Sequence, residues 1–187
     1  MERAFLPRWL LPVLFGIAVA AVATILFRGG RVEIPEECQQ AGSALEAQDY
    51  DLAIERFLSC LDAGDLPDES LAQVFYGLGV AYSAKGDHFQ AIEDYSEAIR
   101  LNPNHAWAYN NRCWSYGLLQ RGEEALRDCD EALRLLPDQP AMLDSRALAH
   151  WLLDDEDKAR QDLERARQLD PSSPTWEERF REFEDMI

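Results

Sequence analysis

Positive charge is scarce in this sequence. Its 187 residues hold 18 Lys and Arg against 35 Asp and Glu, a formal net charge of -17, and the basic residues are not clustered. A protein that grips a phosphate backbone needs a basic surface, so nucleic acid is a poor partner. Histidine is scarcer still: His88, His105 and His150 are the whole supply. Histidine is the usual acid–base residue of enzymes, and none of the three stands in a recognisable constellation with Ser, Cys or a carboxylate pair. A phosphate-cradling glycine loop and the H-E-x-x-H zinc signature are both missing. The four cysteines show no C-x-x-C spacing, which argues against zinc. The many carboxylates read as solvated helix-surface charges rather than a catalytic pair. The expectation is a binding or scaffolding protein and not an enzyme, with no cofactor and no metal.

Charge is also missing locally. Residues 9–27, "WLLPVLFGIAVAAVATILF", contain no charged side chain. As a helix they would span about 28 Å, close to the ~30 Å hydrocarbon core of a bilayer. Pro12 falls near the first turn, where it costs least. Arg8 and Arg28 bracket the run and can snorkel, and Trp9 suits the interfacial belt. The chain therefore divides into a tail (1–8), a transmembrane or signal anchor (9–27) and a linker (28–34) ahead of an acidic body. A cleaved secretory signal is the alternative, with "AVA" at 21–23 as cleavage site. Residues 24–27 continue the apolar run past that cut, which favours an uncleaved anchor. Arg3 and Arg8 balance Arg28 and Arg31, and the amino terminus tips the count. The positive-inside rule then places the N-terminus in the cytoplasm and the body outside.

The body repeats itself. Pro103, Pro137 and Pro171 lie 34 residues apart, as do Ala91, Ala125 and Ala159, and as do Tyr82, Tyr116 and His150. Hydrophobic spacing within each unit is helical, with short breaks such as "KGD" at 85–87, so each unit reads as two helices joined by a tight turn. Small side chains recur where the helices must approach: Ala41, Gly79, Cys113 and Ala147 on the first helix, Ala53, Ala91, Ala125 and Ala159 on the second.

The stretch "FYGLGVAYSAKGDHFQAIEDYSEAIRLNP" sets out Phe75, Leu78, Gly79, Tyr82, Ala91, Tyr95, Ala98 and Pro103. It resembles the tetratricopeptide repeat, W-x2-L-G-x2-Y, then A-x3-F, then P. A second copy holds Tyr109, Cys113, Tyr116, Ala125, Cys129, Ala132 and Pro137. A weaker third holds Leu143, Ala147, His150, Ala159, Leu163, Ala166 and Pro171. A divergent first unit aligns Ala41, Ala44, Tyr50, Ala53, Phe57 and Cys60, with four extra residues assigned to the loop "DAGDLPDES". The resemblance implies an all-α fold, a right-handed α-solenoid of four helix-turn-helix units at 35–69, 70–105, 106–139 and 140–171. Residues 172–187 form a C-terminal capping helix through Trp176, Phe180, Phe183 and Ile187, with a partner-binding helix as the other reading.

In that family the first helices line a concave peptide groove. Counted from Ala72, Ala106 and Pro140, the groove positions fall on Tyr76, Val80, Trp107, Asn110, Asn111, Trp114, Asp144, Leu148 and Trp151, with Gln73, Ser83, Leu118 and Ser145 beside them. Asn111 stands where many members place an asparagine that bonds a peptide backbone, and a side-chain amide can both donate and accept there. The tryptophans offer anchoring area; the other reading packs Trp114 and Trp151 between helices. Members that grip acidic C-terminal peptides use Lys and Arg at positions 2, 5 and 6. Here those positions hold Gln73, Tyr76, Gly77, Trp107, Asn110, Asn111, Ala141, Asp144 and Ser145, with no cation, so a neutral, apolar or basic peptide or protein is the expected partner.

The cysteines fall at repeat positions 5 and 27 (Cys38, Cys60) and 8 and 24 (Cys113, Cys129). Each pair sums to the same register across its hairpin. Two disulfides would suit an oxidising compartment such as the periplasm; four small buried thiols is the other reading. The expected protein is a membrane-tethered scaffold with an extracytoplasmic body. A cytosol-facing adaptor, a permanent subunit of a membrane complex and a secreted form remain open.

Overall fold

The computed structural model describes residues 35–64 and 66–173. These residues form eight helices with no strand among them: α1 (Glu36–Glu46), α2 (Tyr50–Asp62), α3 (Asp68–Ala84), α4 (His88–Leu101), α5 (Ala106–Leu118), α6 (Gly122–Leu135), α7 (Pro140–Leu152) and α8 (Glu156–Leu169). They fall into two compact units divided between Ala108 and Tyr109. The apolar run 9–27 and the residues expected to cap the C-terminus, from 174 on, lie outside the described residues. No described helix is long and apolar enough to cross a membrane.

Local chemistry sets the helix ends. Three of the four second helices begin at an Asp whose carboxylate accepts a backbone N–H three residues on: Asp49 from Leu52 (3.2 Å), Asp87 from Gln90 (3.1 Å) and Asp155 from Lys158 (3.3 Å). That bond satisfies one of the donors a helix start leaves open. The equivalent position ahead of α6 is Arg121, which makes no side-chain cap. The residue before each cap sits in left-handed backbone: Gln48, Gly86, Gln120 and Asp154, at φ of 60°, 84°, 58° and 61°. The sharp reversal is thus built identically four times, and glycine supplies it once.

The four extra residues are not in the loop. The connection between α2 and α3 spans five residues, 63–67, against four at 102–105, while α3 is 17 residues long and both α5 and α7 are 13. The insertion lengthens α3 at its start. Pro67 precedes that start with φ of -59°, and Asp68 and Glu69 supply negative charge to the first turn. Both features favour helix there.

The first unit packs around Phe57, Tyr76, Leu78, Val80 and Tyr95, all at most 2% exposed. Each such side chain contributes about 1.5–3 kcal/mol on burial. Their bulk is matched by absence of bulk opposite. A Cβ on Gly77 would lie 2.3 Å from the Phe57 ring, and one on Gly79 would lie 2.6 Å from the Tyr95 ring. Cys38 joins Cys60 across α1 and α2, with Cα atoms 5.0 Å apart.

In the second unit Cys113 and Cys129 join α5 to α6, their Cα atoms 5.5 Å apart. One repeat earlier the same two positions hold Gly79 and Tyr95; one repeat later they hold Ala147 and Leu163, which pack in one cluster. The contact between helices is therefore filled in different ways: glycine against an aromatic ring, alanine against leucine, or a covalent bridge. Bidentate pairs close two hairpins as well. Arg112 donates to Asp128 (2.6 and 2.8 Å), and Arg146 donates to Asp162 (2.8 and 2.7 Å).

Candidate functional site

In the first unit the expected first-helix residues lie on α3 and at the start of α5. Gln73, Tyr76, Val80 and Ser83 are all buried. Gln73 and Tyr76 reach His105, which lies just before α5. His105 is 8% exposed and lies against the Tyr76 ring, centroids 4.6 Å apart. The backbone N–H of Ala108 donates to His105 Nδ1 (3.2 Å). That acceptor role leaves Nε2 as the protonated nitrogen. Nε2 faces the Gln73 amide at 3.4 Å. The other polar atom of that amide is buried and has no hydrogen-bond partner among the described residues. Burial drives the His105 pKa down to about 4, so the ring is neutral at physiological pH. Trp107 is half-buried and packs against the core of this unit.

In the second unit Asn110 is fully buried. Its Nδ2 donates to Asn111 Oδ1 (3.1 Å), and its own Oδ1 has no partner among the described residues. Asn111 is half-buried. The two asparagines therefore form an amide pair with an inner and an outer member. Trp114, Asp144 and Trp151 are buried, at 5%, 6% and 7% exposure, and Leu148 is half-buried. Ser145 is buried and donates to the Ala141 carbonyl (3.0 Å). Of the nine first-helix positions, Trp107, Asn111 and Leu148 keep partial exposure and the other six are covered.

His88 opens α4 and is held below its ordinary pKa by burial, which the Asp87 charge opposes. His150 is buried near Asp162, 3.9 Å away, and burial lowers it too. His88 Nδ1 lies 3.5 Å from the Ser83 hydroxyl, at the outer limit of a hydrogen bond. Among the described residues no three His, Cys, Asp or Glu side chains gather as a metal site. A shallow depression of about 620 Å³ runs along α1 and α2, walled by Gln39, Ser43, Ala47, Leu52 and Arg56. None of the expected binding residues lines it.

The sequence reading missed three features: the His105 contact, the Arg–Asp pairs and the burial of Asp94. The pairs had a signal, since Arg112 and Arg146 are 34 apart, as are Asp128 and Asp162. His105 had none beyond lying next to the start of a first helix.

Helix hairpins that recur along the described residues, stapled by disulfides or closed by salt bridges, define a helical-repeat fold. The family pattern described as tetratricopeptide repeat matches twice, over residues 72–105 and 114–174, together just over half of the chain. The chain belongs to the tetratricopeptide repeat family. Solved structures share its fold. The second tetratricopeptide domain of human RPAP3, in complex with the HSP70 peptide SGPTIEEVD, superposes with a TM-score of 0.56 at 24% identity, covering 63% of this chain and 95% of that one. MamA 41-end from Desulfovibrio magneticus RS-1 gives 0.67 at 16%, covering 76% and 81%. YrrB, described as a tetratricopeptide protein with an unusual peptide-binding site, gives 0.66 at 17%, covering 89% and 84%.

Proposed function

We propose that this protein is a membrane-tethered adaptor that holds an extended segment of a partner protein through first-helix side chains of its repeats. The observation that carries this reading is the Asn110–Asn111 amide pair. A buried, hydrogen-bonded inner amide fixes the orientation of the outer one, and a fixed amide at partial exposure suits recognition of a peptide group. Related folds whose descriptions include a bound peptide or a peptide-binding site support the same use of the repeat. The ligand differs from the acidic peptide in the human RPAP3 complex. The positions that carry cations in acidic-peptide binders hold none here, and the chain's net charge of -17 favours neutral or basic segments.

The tether is the uncharged run 9–27, and the body lies on the oxidising side of the membrane. The two disulfides support that placement, because such bonds persist outside the reducing cytosol. Role as adaptor makes the partner separable by mutation. Proteins crosslinked to the chain in native membranes are to be quantified for wild type, Asn111→Ala and Trp107→Ala. At least about a tenfold loss of the dominant crosslinked partner is expected for Asn111→Ala, consistent with a lost charge-free hydrogen bond in a desolvated contact. Both substitutions also cost stability, since Trp107 packs against the core of its unit and Asn111 accepts from the buried Asn110 amide, so capture is compared at a temperature where circular dichroism shows each variant folded. Capture that is unchanged in both variants would remove this face from the function.

A further inference from the structure

Both later repeats match a carboxylate on the second helix with an arginine on the first: Asp128 with Arg112, Asp162 with Arg146. One repeat earlier the carboxylate is still there, as Asp94. The arginine is not: residue 78 is Leu. Asp94 is nevertheless as buried as its counterparts, at 7% exposure each. Its hydrogen-bond partner is the Gln90 amide at 3.5 Å, the outer limit of such a bond.

Among the described residues of its unit no cation replaces the missing arginine. The three cations among the described residues of that unit are engaged elsewhere: Arg56 with Glu55, Lys85 with Asp51 and Arg100 with Glu97. Helix α3 contributes no charge beyond Asp68 and Glu69 in its first turn. His105, which follows α4 in the same unit, is neutral. The charges that act on Asp94 come from Glu93 and Asp87, both anionic. Burial foremost pushes the carboxyl up to about 7; the Gln90 hydrogen bond, the next largest influence, opposes it, and the two anions add smaller pushes upward.

We propose that Asp94 makes the α3–α4 hairpin a pH-responsive element, closed while the buried carboxyl is neutral and loosened when it ionises in a repeat that has Leu78 where the later repeats have an arginine. A neutral carboxyl needs little from its surroundings, whereas an ionised one without a cation is among the costliest groups to bury. The unfolded chain ionises at the ordinary value of 3.8. The folded hairpin resists ionisation until neutrality. The stabilisation is therefore complete below about pH 4 and is lost as pH rises toward 7. Half-buried His88 and buried His105 and His150 act with the opposite sign: their folded pKa values lie below 6.5, so they cost stability as pH falls. The two effects overlap and mask each other in the wild-type profile. The device acts on folding whether or not the first helices bind a peptide, so it stands or falls apart from the adaptor function.

The test uses the full-length chain in mild detergent, unfolded in urea from about pH 4.5 to about pH 9 as wild type and as Asp94→Asn. Taking the ratio of the two folding equilibrium constants removes the histidine contribution. The ratio should move in favour of the variant by at least about tenfold between the acid end and pH 8, then level off. A ratio independent of pH would overturn the proposal. The ¹³Cγ resonance of Asp94 in the wild type gives a second measurement that needs no variant. A titration midpoint near neutrality supports the device, and one below about pH 5 overturns it.

Discussion

Arg112 sits between two tyrosine rings while it grips Asp128, its guanidinium carbon 5.7 Å from the Tyr109 centroid and 6.0 Å from that of Tyr116. The fork-shaped pairing is geometrically strong, and the side chains are only 17% and 10% exposed. Removing one partner leaves the other charge stranded, which costs more than the pair itself contributes. Asp128→Ala should therefore lose about 3 kcal/mol of unfolding free energy, measured by urea titration. Asp162→Ala should lose less, because Arg146 keeps a second acceptor in Asp130 at 3.0 Å. Glu124→Ala removes an exposed partner of Arg121 and should change stability by no more than about 0.5 kcal/mol. If the three variants lost equal amounts, burial would not be what separates these pairs. The same logic applied one repeat earlier is what singles out Asp94: the residue is ordinary, and the missing neighbour is the signal.

Each hairpin, as an element, depends on one left-handed residue and on what fills the contact between its helices. A non-glycine residue in left-handed backbone costs roughly 1–2 kcal/mol, and glycine returns part of that as lost chain entropy. Gln120 at φ of 58° occupies the position that Gly86 fills one repeat earlier. Gln120→Gly should raise the unfolding free energy by about 0.5–1 kcal/mol, and Gly86→Ala should lower it by a similar amount, both read from urea midpoints. The disulfides act at the same scale. Cys113 and Cys129 close a separation of 16 residues, for which chain-entropy reasoning gives about 3 kcal/mol. The equivalent contacts have bulk: the Tyr95 ring against Gly79, and Leu163 near Ala147. Two separate thiols offer less. The double variant Cys113→Ser/Cys129→Ser should thus lose the second unit's stability by at least that amount. Replacement with the Gly and Tyr of the previous repeat should restore part of it. A double serine variant as stable as wild type would mean the bridge only occupies space.

For the whole molecule, the architecture was legible because it is periodic. Prolines and alanines at a fixed 34-residue spacing announce identical helix pairs without any tertiary information, and the cysteine positions fit those hairpins closely enough to predict both bridges. What periodicity hides is how far each position is covered. Tyr76 and Asn110 share one repeat position with Asp144, and all three prove buried, though only one is apolar. Their covering depends on neighbouring side chains, which the repeat pattern does not encode. The insertion before the second repeat was misplaced for a related reason: spacing counts residues but does not say whether a proline at 67 starts a helix early. Charge is the whole-molecule property that composition does give. A net charge of -17 on 187 residues pushes the folded chain against itself, and salt shortens the range of that repulsion from about 30 Å at 0.01 M to about 8 Å at 0.15 M. The melting temperature of the chain should therefore rise over that interval at constant pH. Capture of a basic peptide should weaken over the same interval, and capture of a neutral one should hold. Exposed ion pairs such as Arg134–Glu131 and Arg100–Glu97 work against this trend, since salt weakens them too, but each is worth little. A melting temperature that fell with salt would mean that local pairing outweighs global repulsion, and that the acidic surface is organised in compensating pairs rather than as a field able to steer a partner.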